Sequence, residues 1–316
     1  MIPTWILQNP VAQWSARDRL HIARFPDGHL LLVGGSPGIQ IYSTETWLSP
    51  DEGGSWIRQA NFVTTKYLCE SYVVALTTGV AIVLGGTQLG SAGRVQKSIN
   101  QGVSWSLVSS NPGWTSRNGA AAVSLSGDAI LFMGGQTSTR FNDVWISING
   151  GVSWTRQTAA AGWSARTWFA AVVLSDDSIV VMGGNSGAYM NDVWRSTNAG
   201  AAWTRQTAAA GWSGRSDLAA VALPDDSIVV MGGFDGVTKN DVWRSTDKGV
   251  TWTRLLSEAP WSARVRHAAV AVSNNNIVLA GGYSNGLLRD VWIGPSMAPA
   301  PVLPIYPIWS MRIGPL

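Results

Sequence analysis

The sequence predicts an all-β fold, a ring of six blades with four antiparallel strands in each, and three observations predict it. Glycine doublets recur at Gly34-Gly35, Gly85-Gly86, Gly134-Gly135, Gly183-Gly184, Gly232-Gly233 and Gly281-Gly282, spaced 51, 49, 49, 49 and 49 residues apart. The composition agrees, because 18 tryptophans and 35 glycines with only 13% charged residues suit many strands, tight turns and large packing anchors. No segment carries a 3.6-residue apolar period strong enough to compete. The expected fold class is a six-bladed β-propeller whose N-terminal strand closes the last blade.

Each doublet ends an apolar run such as "ILFMGG" or "IVVMGG", and each run follows a turn: "PDG", "TTG", "SGD", "SDD", "PDD" or "NNN". The first two strands of every blade therefore read as a hairpin. A loop leads to "NDVW" or a relative, with Trp145, Trp194, Trp243 and Trp292, and a turn then leads to a strand opening with Trp56, Trp105, Trp154, Trp203 or Trp252. Blades are expected at about 14–62, 65–110, 114–159, 163–208, 212–257 and 261–294, the last completed by residues 2–9. The match is "IPTWILQ" at 2–8, since Trp5 stands nine residues before Trp14 as Trp252 does before Trp261. Such closure removes the free sheet edges. The proline-rich tail 295–316 falls outside the repeat.

Charge and cysteine usage exclude several function classes. A net charge of +3 comes from scattered arginines without a basic run, so no nucleic-acid partner is expected. A single cysteine forbids an intramolecular disulfide, and three histidines leave little for a histidine-rich metal centre, so neither a metal nor another cofactor is expected. "MIPTWILQNP" lacks the charged head and apolar core of a signal peptide, and no run is long enough to span a bilayer. A soluble chain without membrane contact is expected, its compartment open.

An apolar strand ending in Gly-Gly, then "NDVW", then a further tryptophan, resembles the kelch repeat. The turns "SPDEGGSW" (49–56), "SINQGVSW" (98–105), "SINGGVSW" (147–154), "STNAGAAW" (196–203) and "STDKGVTW" (245–252) resemble Asp-boxes. The resemblance implies that these boxes stabilise turns far from the binding face, and that ligands meet the opposite face around the central channel.

Within one chain, packing demands should repeat from copy to copy while a single functional site should not. Sixteen of the 18 tryptophans sit in three repeated positions, Trp168 and Trp309 being the exceptions. An arginine recurs at Arg17, Arg117, Arg166, Arg215 and Arg264, with Leu68 in the remaining copy, and it suits either bonds between loops or a ligand. Two residues on, the register is irregular: Arg19, Glu70, Gly119, Trp168, Asp217, Arg266. The position between is also mixed: Asp18, Cys69, Asn118, Thr167, Ser216, Val265. This pattern fits a site at the channel mouth and equally fits free drift of exposed residues. If it is a site, its ligand-binding residues are Arg17, Arg19, Glu70, Trp168, Asp217, Arg264 and Arg266, the neighbouring blades six and one bringing the four arginines together with His21 and His267 a step deeper.

Guanidinium forks pair with carboxylate, sulfate or phosphate, and a tryptophan stacks on a ring. The favoured reading is a binding module for an acidic glycan, a small anionic ligand or an acidic protein segment. The alternative is a hydrolase at the same mouth, an esterase, a phosphoesterase or a sialidase-like glycosidase, with Glu70, Asp217, Cys69 and Tyr72 as catalytic candidates. The resemblance to sialidases implies a Tyr-Glu pair, from Tyr72 or Tyr67 with Glu70, and an acid, from Asp18 or Asp217. A third reading resembles galactose oxidase, a copper family that uses a Cys-Tyr crosslink, two histidines and a stacked tryptophan, residue types that Cys69, Tyr67, His21, His267 and Trp168 supply. "TKYLCESY" (65–72) is the one copy that loses the Trp-Ser-x-Arg pattern.

Overall fold

The computed structural model describes residues 4–38, 42–61, 70–85 and 90–294. The described residues form six four-stranded antiparallel sheets, each a blade. Blade one holds strands Asp18–Arg24, Leu30–Ser36, Thr46–Ser49 and Ile57–Arg58. Blade two holds Ser71–Ala75, Ala81–Gly85, Val95–Ser98 and Ser106–Ser109. Blades three, four and five repeat the pattern from Asn118–Ser124, Ala170–Val173 and Ala219–Ala222. In blade six the strands Ala268–Ala271, Ile277–Ala280 and Val291–Gly294 are completed by Ile6–Asn9, which pairs antiparallel with the last of them. The ring therefore closes with the N-terminal strand as the outer strand of the last blade.

The second strand of each blade is buried on both faces, which is why these runs are continuously apolar rather than alternating. Neighbouring blades share cores: Val229 and Met231 of blade five pack with Trp261, Ile277 and Leu279 of blade six. The doublet that ends this strand has two separate reasons to be glycine. A side chain at Gly134, where φ is +60°, would strike the Phe169 ring of blade four at 2.6 Å. One at Gly135, φ +85°, would meet the Asn118 carbonyl of its own blade at 2.9 Å.

The recurring arginine belongs to a unit inside each blade. Arg166 donates to the Gly183 carbonyl at 2.9 Å and forks onto the Asp192 carboxylate at 2.6 and 2.8 Å, while Asp192 accepts the Trp194 indole N–H at 2.7 Å. Arg117, Arg215 and Arg264 do the same with Asp143, Asp241 and Asp290, while Arg17 keeps the glycine bond and reaches Glu45 through Nη2 alone. Blade two has Leu68, Arg94 and Gln96 at the three positions, so all members of the unit are absent together. The adjacent asparagine of "NDVW" ties blades to each other: Asn191 donates to the carbonyls of Ala210 and Trp212 in the next blade at 3.2 and 3.0 Å.

The leading and outer tryptophans meet edge to face within a blade, as Trp163 and Trp203 do at 5.9 Å and 89°. The turns between third and fourth strands are held by a serine and an Asn or Asp: Ser147 Oγ accepts from Gly151 N–H at 2.9 Å and Asn149 Oδ1 accepts from Ser153 N–H at 3.0 Å. These turns lie at the end of the blades opposite the doublets. Among the described residues no helix is long and apolar enough to cross a membrane.

Candidate functional site

The irregular register position is regular in its main chain. Arg19, Gly119, Trp168, Asp217 and Arg266 all occupy the left-handed region, with φ of 55°, 61°, 54°, 56° and 55°. In that conformation each residue's amide reaches the same residue of the preceding blade. Trp168 N–H donates to Gly119 O at 2.8 Å, Asp217 to Trp168 at 2.9 Å, Arg266 to Asp217 at 3.1 Å, and Arg19 to Arg266 at 2.9 Å. Blade two breaks the pattern: there Gly119 N–H is received by the Glu70 side chain, Oε2, at 2.5 Å. A carboxylate thus substitutes for a carbonyl in a hydrogen-bonded crown around the channel. Left-handed conformation in a non-glycine residue costs about 1–2 kcal/mol, and such strain clusters where residues must be displayed.

The crown surrounds a cavity of about 100 Å³ lined by Arg19, Glu70, Trp168, Asp217, Arg266 and His267, among others. Below it lies the channel proper, where the position after the crown's next residue carries His21, Tyr72, Ala121, Ala170, Ala219 and Ala268. Tyr72 and His21 pack ring on ring at 4.8 Å, while the other four blades present only methyl groups. Charged side chains thus line the mouth, while along the shaft most blades show alanine.

Charges at the mouth alternate. Arg19 sits between Glu70, at 3.1 Å from Nε, and Asp18, at 3.5 Å from Nη1. Arg266 sits between Asp217, at 3.1 Å from Nε, and the other oxygen of Asp18, at 3.3 Å from Nη1. Three carboxylates therefore confront two guanidiniums. The acids are 5–8% exposed in their side chains, and Arg19 and Arg266 are 24% and 32% exposed, so the cations face outward over a buried acidic layer. Burial pushes the Asp217 carboxyl up, only partly offset by Arg266 and Ser216. Burial also works against the charge on Arg266, but Asp217 and Asp18 outweigh it and its pKa is raised.

Of the seven expected ligand residues, five converge here: Arg19, Glu70, Trp168, Asp217 and Arg266. Arg17 and Arg264 do not. Both are wholly buried in the Arg-acid-glycine units described above, so the expected cluster of four arginines is reduced to two, each already flanked by acids. His21 and His267 line the cavity as neutral groups, burial lowering them to about 4 and about 3. They occupy different registers: His267 packs against Gly232 of blade five, where Leu20, Phe169 and Leu218 pack in other blades.

The catalytic candidates among the described residues, Glu70, Asp217 and Tyr72, are structurally engaged. Tyr72 is buried, its hydroxyl donating to Glu70 Oε2 at 2.9 Å and accepting Ala120 N–H at 2.9 Å. Both oxygens of Glu70 are thereby occupied, by Arg19 on one side and by Gly119 and Tyr72 on the other. Cys69 and Tyr67 lie outside the described residues. Among the described residues no three His, Cys, Asp or Glu side chains group as a metal site. The residue whose importance the sequence understated is Asp18, which bridges the two arginines; its signal was its place beside the irregular register.

A family model described as the KLHDC2/KLHL20/DRC7 Kelch-repeats domain matches residues 81–282, more than half of the chain. A search of curated proteins returned no match.

Proposed function

The chain belongs to the KLHDC2/KLHL20/DRC7 kelch-repeat family, and from that premise we propose that it is a protein-interaction module whose crown, at the channel mouth, receives a segment of a partner protein. Kelch propellers generally mediate protein interaction. The observation that carries the reading is the crown itself: one register position holds its main chain constant in five blades while displaying Arg19, Gly119, Trp168, Asp217 and Arg266. Framework residues repeat with their geometry, whereas these repeat geometry without identity. Residues 2–294 are taken as the single propeller domain, and the serine-asparagine turns, which resemble Asp-boxes, serve the scaffold.

The anionic glycan, small anion or acidic segment expected from the sequence rested on four converging arginines, and with two remaining, both flanked by acids, that inventory is lost. A hydrolase would need a carboxylate, hydroxyl or thiol free to attack or to move a proton, and neither Glu70 nor Tyr72 offers one.

The test is a random-peptide display selection on the whole chain, followed by affinity measurement with Trp168→Ala and Arg266→Gln. Selected peptides are expected to bind these variants at least tenfold more weakly. Val152→Ser, an exposed change in a turn at the far end, should leave affinity within twofold. Equal binding to all three would remove the crown from the interaction.

A further inference from the structure

Resting on the crown as the binding face, we infer that the group recognised there is an uncharged hydrogen-bond acceptor, the main-chain carbonyls or Asn/Gln amides of a partner loop, rather than an acid. Two features of the mouth lead to it. The first is its surplus of donors. Arg266 donates from Nε and Nη1 to carboxylates, Arg19 donates from Nη1 to Asp18 with its Nε 3.1 Å from Glu70, and among the described residues neither Nη2 makes a hydrogen bond. The indole N–H of Trp168 is also without a partner among those residues. The two exposed Nη2 groups can therefore donate to a ligand without giving up any bond within the protein.

The second feature is the charge already present. Glu70, Asp18 and Asp217 outnumber the two guanidiniums, so a ligand carboxylate would add a fourth negative charge to a half-buried cluster. Like charges held this close in a poorly solvated site oppose one another strongly. A cationic ligand meets the opposite difficulty, because the buried acids are screened from it by the exposed arginines. A carbonyl oxygen meets neither: it accepts from Nη2 without altering the charge balance. The carboxylates orient each guanidinium before a ligand arrives, which lowers the ordering cost of binding. The half-buried Trp168 ring provides the apolar surface beside these donors.

Three synthetic octapeptide libraries of matched mean hydropathy test this, one with Asp/Glu, one with Asn/Gln/Gly and one with Lys/Arg at the varied positions. Each is bound to the whole chain and to Arg19→Gln, Arg266→Gln and Trp168→Phe, with near-UV circular dichroism confirming the fold of every variant. The expected result is binding from the Asn/Gln/Gly library, weakened at least tenfold by either arginine change and by less than twofold on raising NaCl from about 50 to 500 mM, since no net counterion release accompanies it. Preferential binding of the Asp/Glu library, lost in the arginine variants and in high salt, would uphold the crown as the site and overturn the acceptor inference. Preference for the Lys/Arg library would overturn it likewise. Binding indifferent to every variant, or no binding by any library, would overturn both the site and the inference.

Discussion

At the residue scale, His267 shows what a repeat tolerates at a cost. Leu20, Phe169 and Leu218 fill its position in other blades, and the imidazole replaces them with both ring nitrogens unpartnered among the described residues. Burial, with Arg264 adding to it, holds the ring neutral down to about 3. The unfolded chain takes up a proton near pH 6.5 that the folded chain refuses, so this contribution is complete above that pH and is lost progressively as pH falls toward the folded value. Between pH 7.5 and 5 the loss is on the order of 2 kcal/mol for His267, and His21, lowered to about 4, adds a loss of the same sign. Urea midpoints at both pH values should therefore fall on acidification in the native chain and fall distinctly less in His267→Leu. An equal drop in both would show that the histidine is solvated in the folded state.

At the scale of the element, blade two is where the sequence and the fold part company in an informative way. Glu70 drew attention in the sequence because it broke a register and stood beside a cysteine, and both catalytic and ligand-binding roles were open to it. Its structural role is to stand in for a main-chain carbonyl, binding Gly119 N–H, Tyr72 and Arg19 at once. Glu70→Ala leaves Arg19 short of one acid and an amide without an acceptor, and should cost about 3 kcal/mol in urea unfolding. Glu70→Gln keeps an acceptor oxygen and should cost nearer 1 kcal/mol; equal costs would mean that charge is the whole of its role. None of this could be read from one sequence, because a side chain replacing a carbonyl leaves no motif. The doublets, "NDVW" and the leading tryptophans were legible because each answers a demand made once per blade. Arg17 and Arg264 were misplaced for the same reason turned around: they repeat, and their partners lie 28 and 26 residues away in the same blade.

For the whole molecule, the decisive joint is the strand Ile6–Asn9 against Val291–Gly294. Removing residues 1–9 strips the outer strand from blade six and takes Trp5 from its edge contact with Trp261 at 5.9 Å. The freed edge is then open to pairing with another copy. The shortened chain should melt several degrees lower and associate in sedimentation velocity at concentrations where the intact chain does not. A monomer of unchanged melting temperature would show that the ring holds without its closing strand. Because the crown outside blade two is fastened through amides and carbonyls, the chain can exchange the side chains it shows there without renegotiating its framework. The one demand on a newcomer is that it sit in the left-handed region, which Asn, Asp and Gly do most readily. Recognition in this molecule is thus a short text written on a fixed page, open to being rewritten one blade at a time.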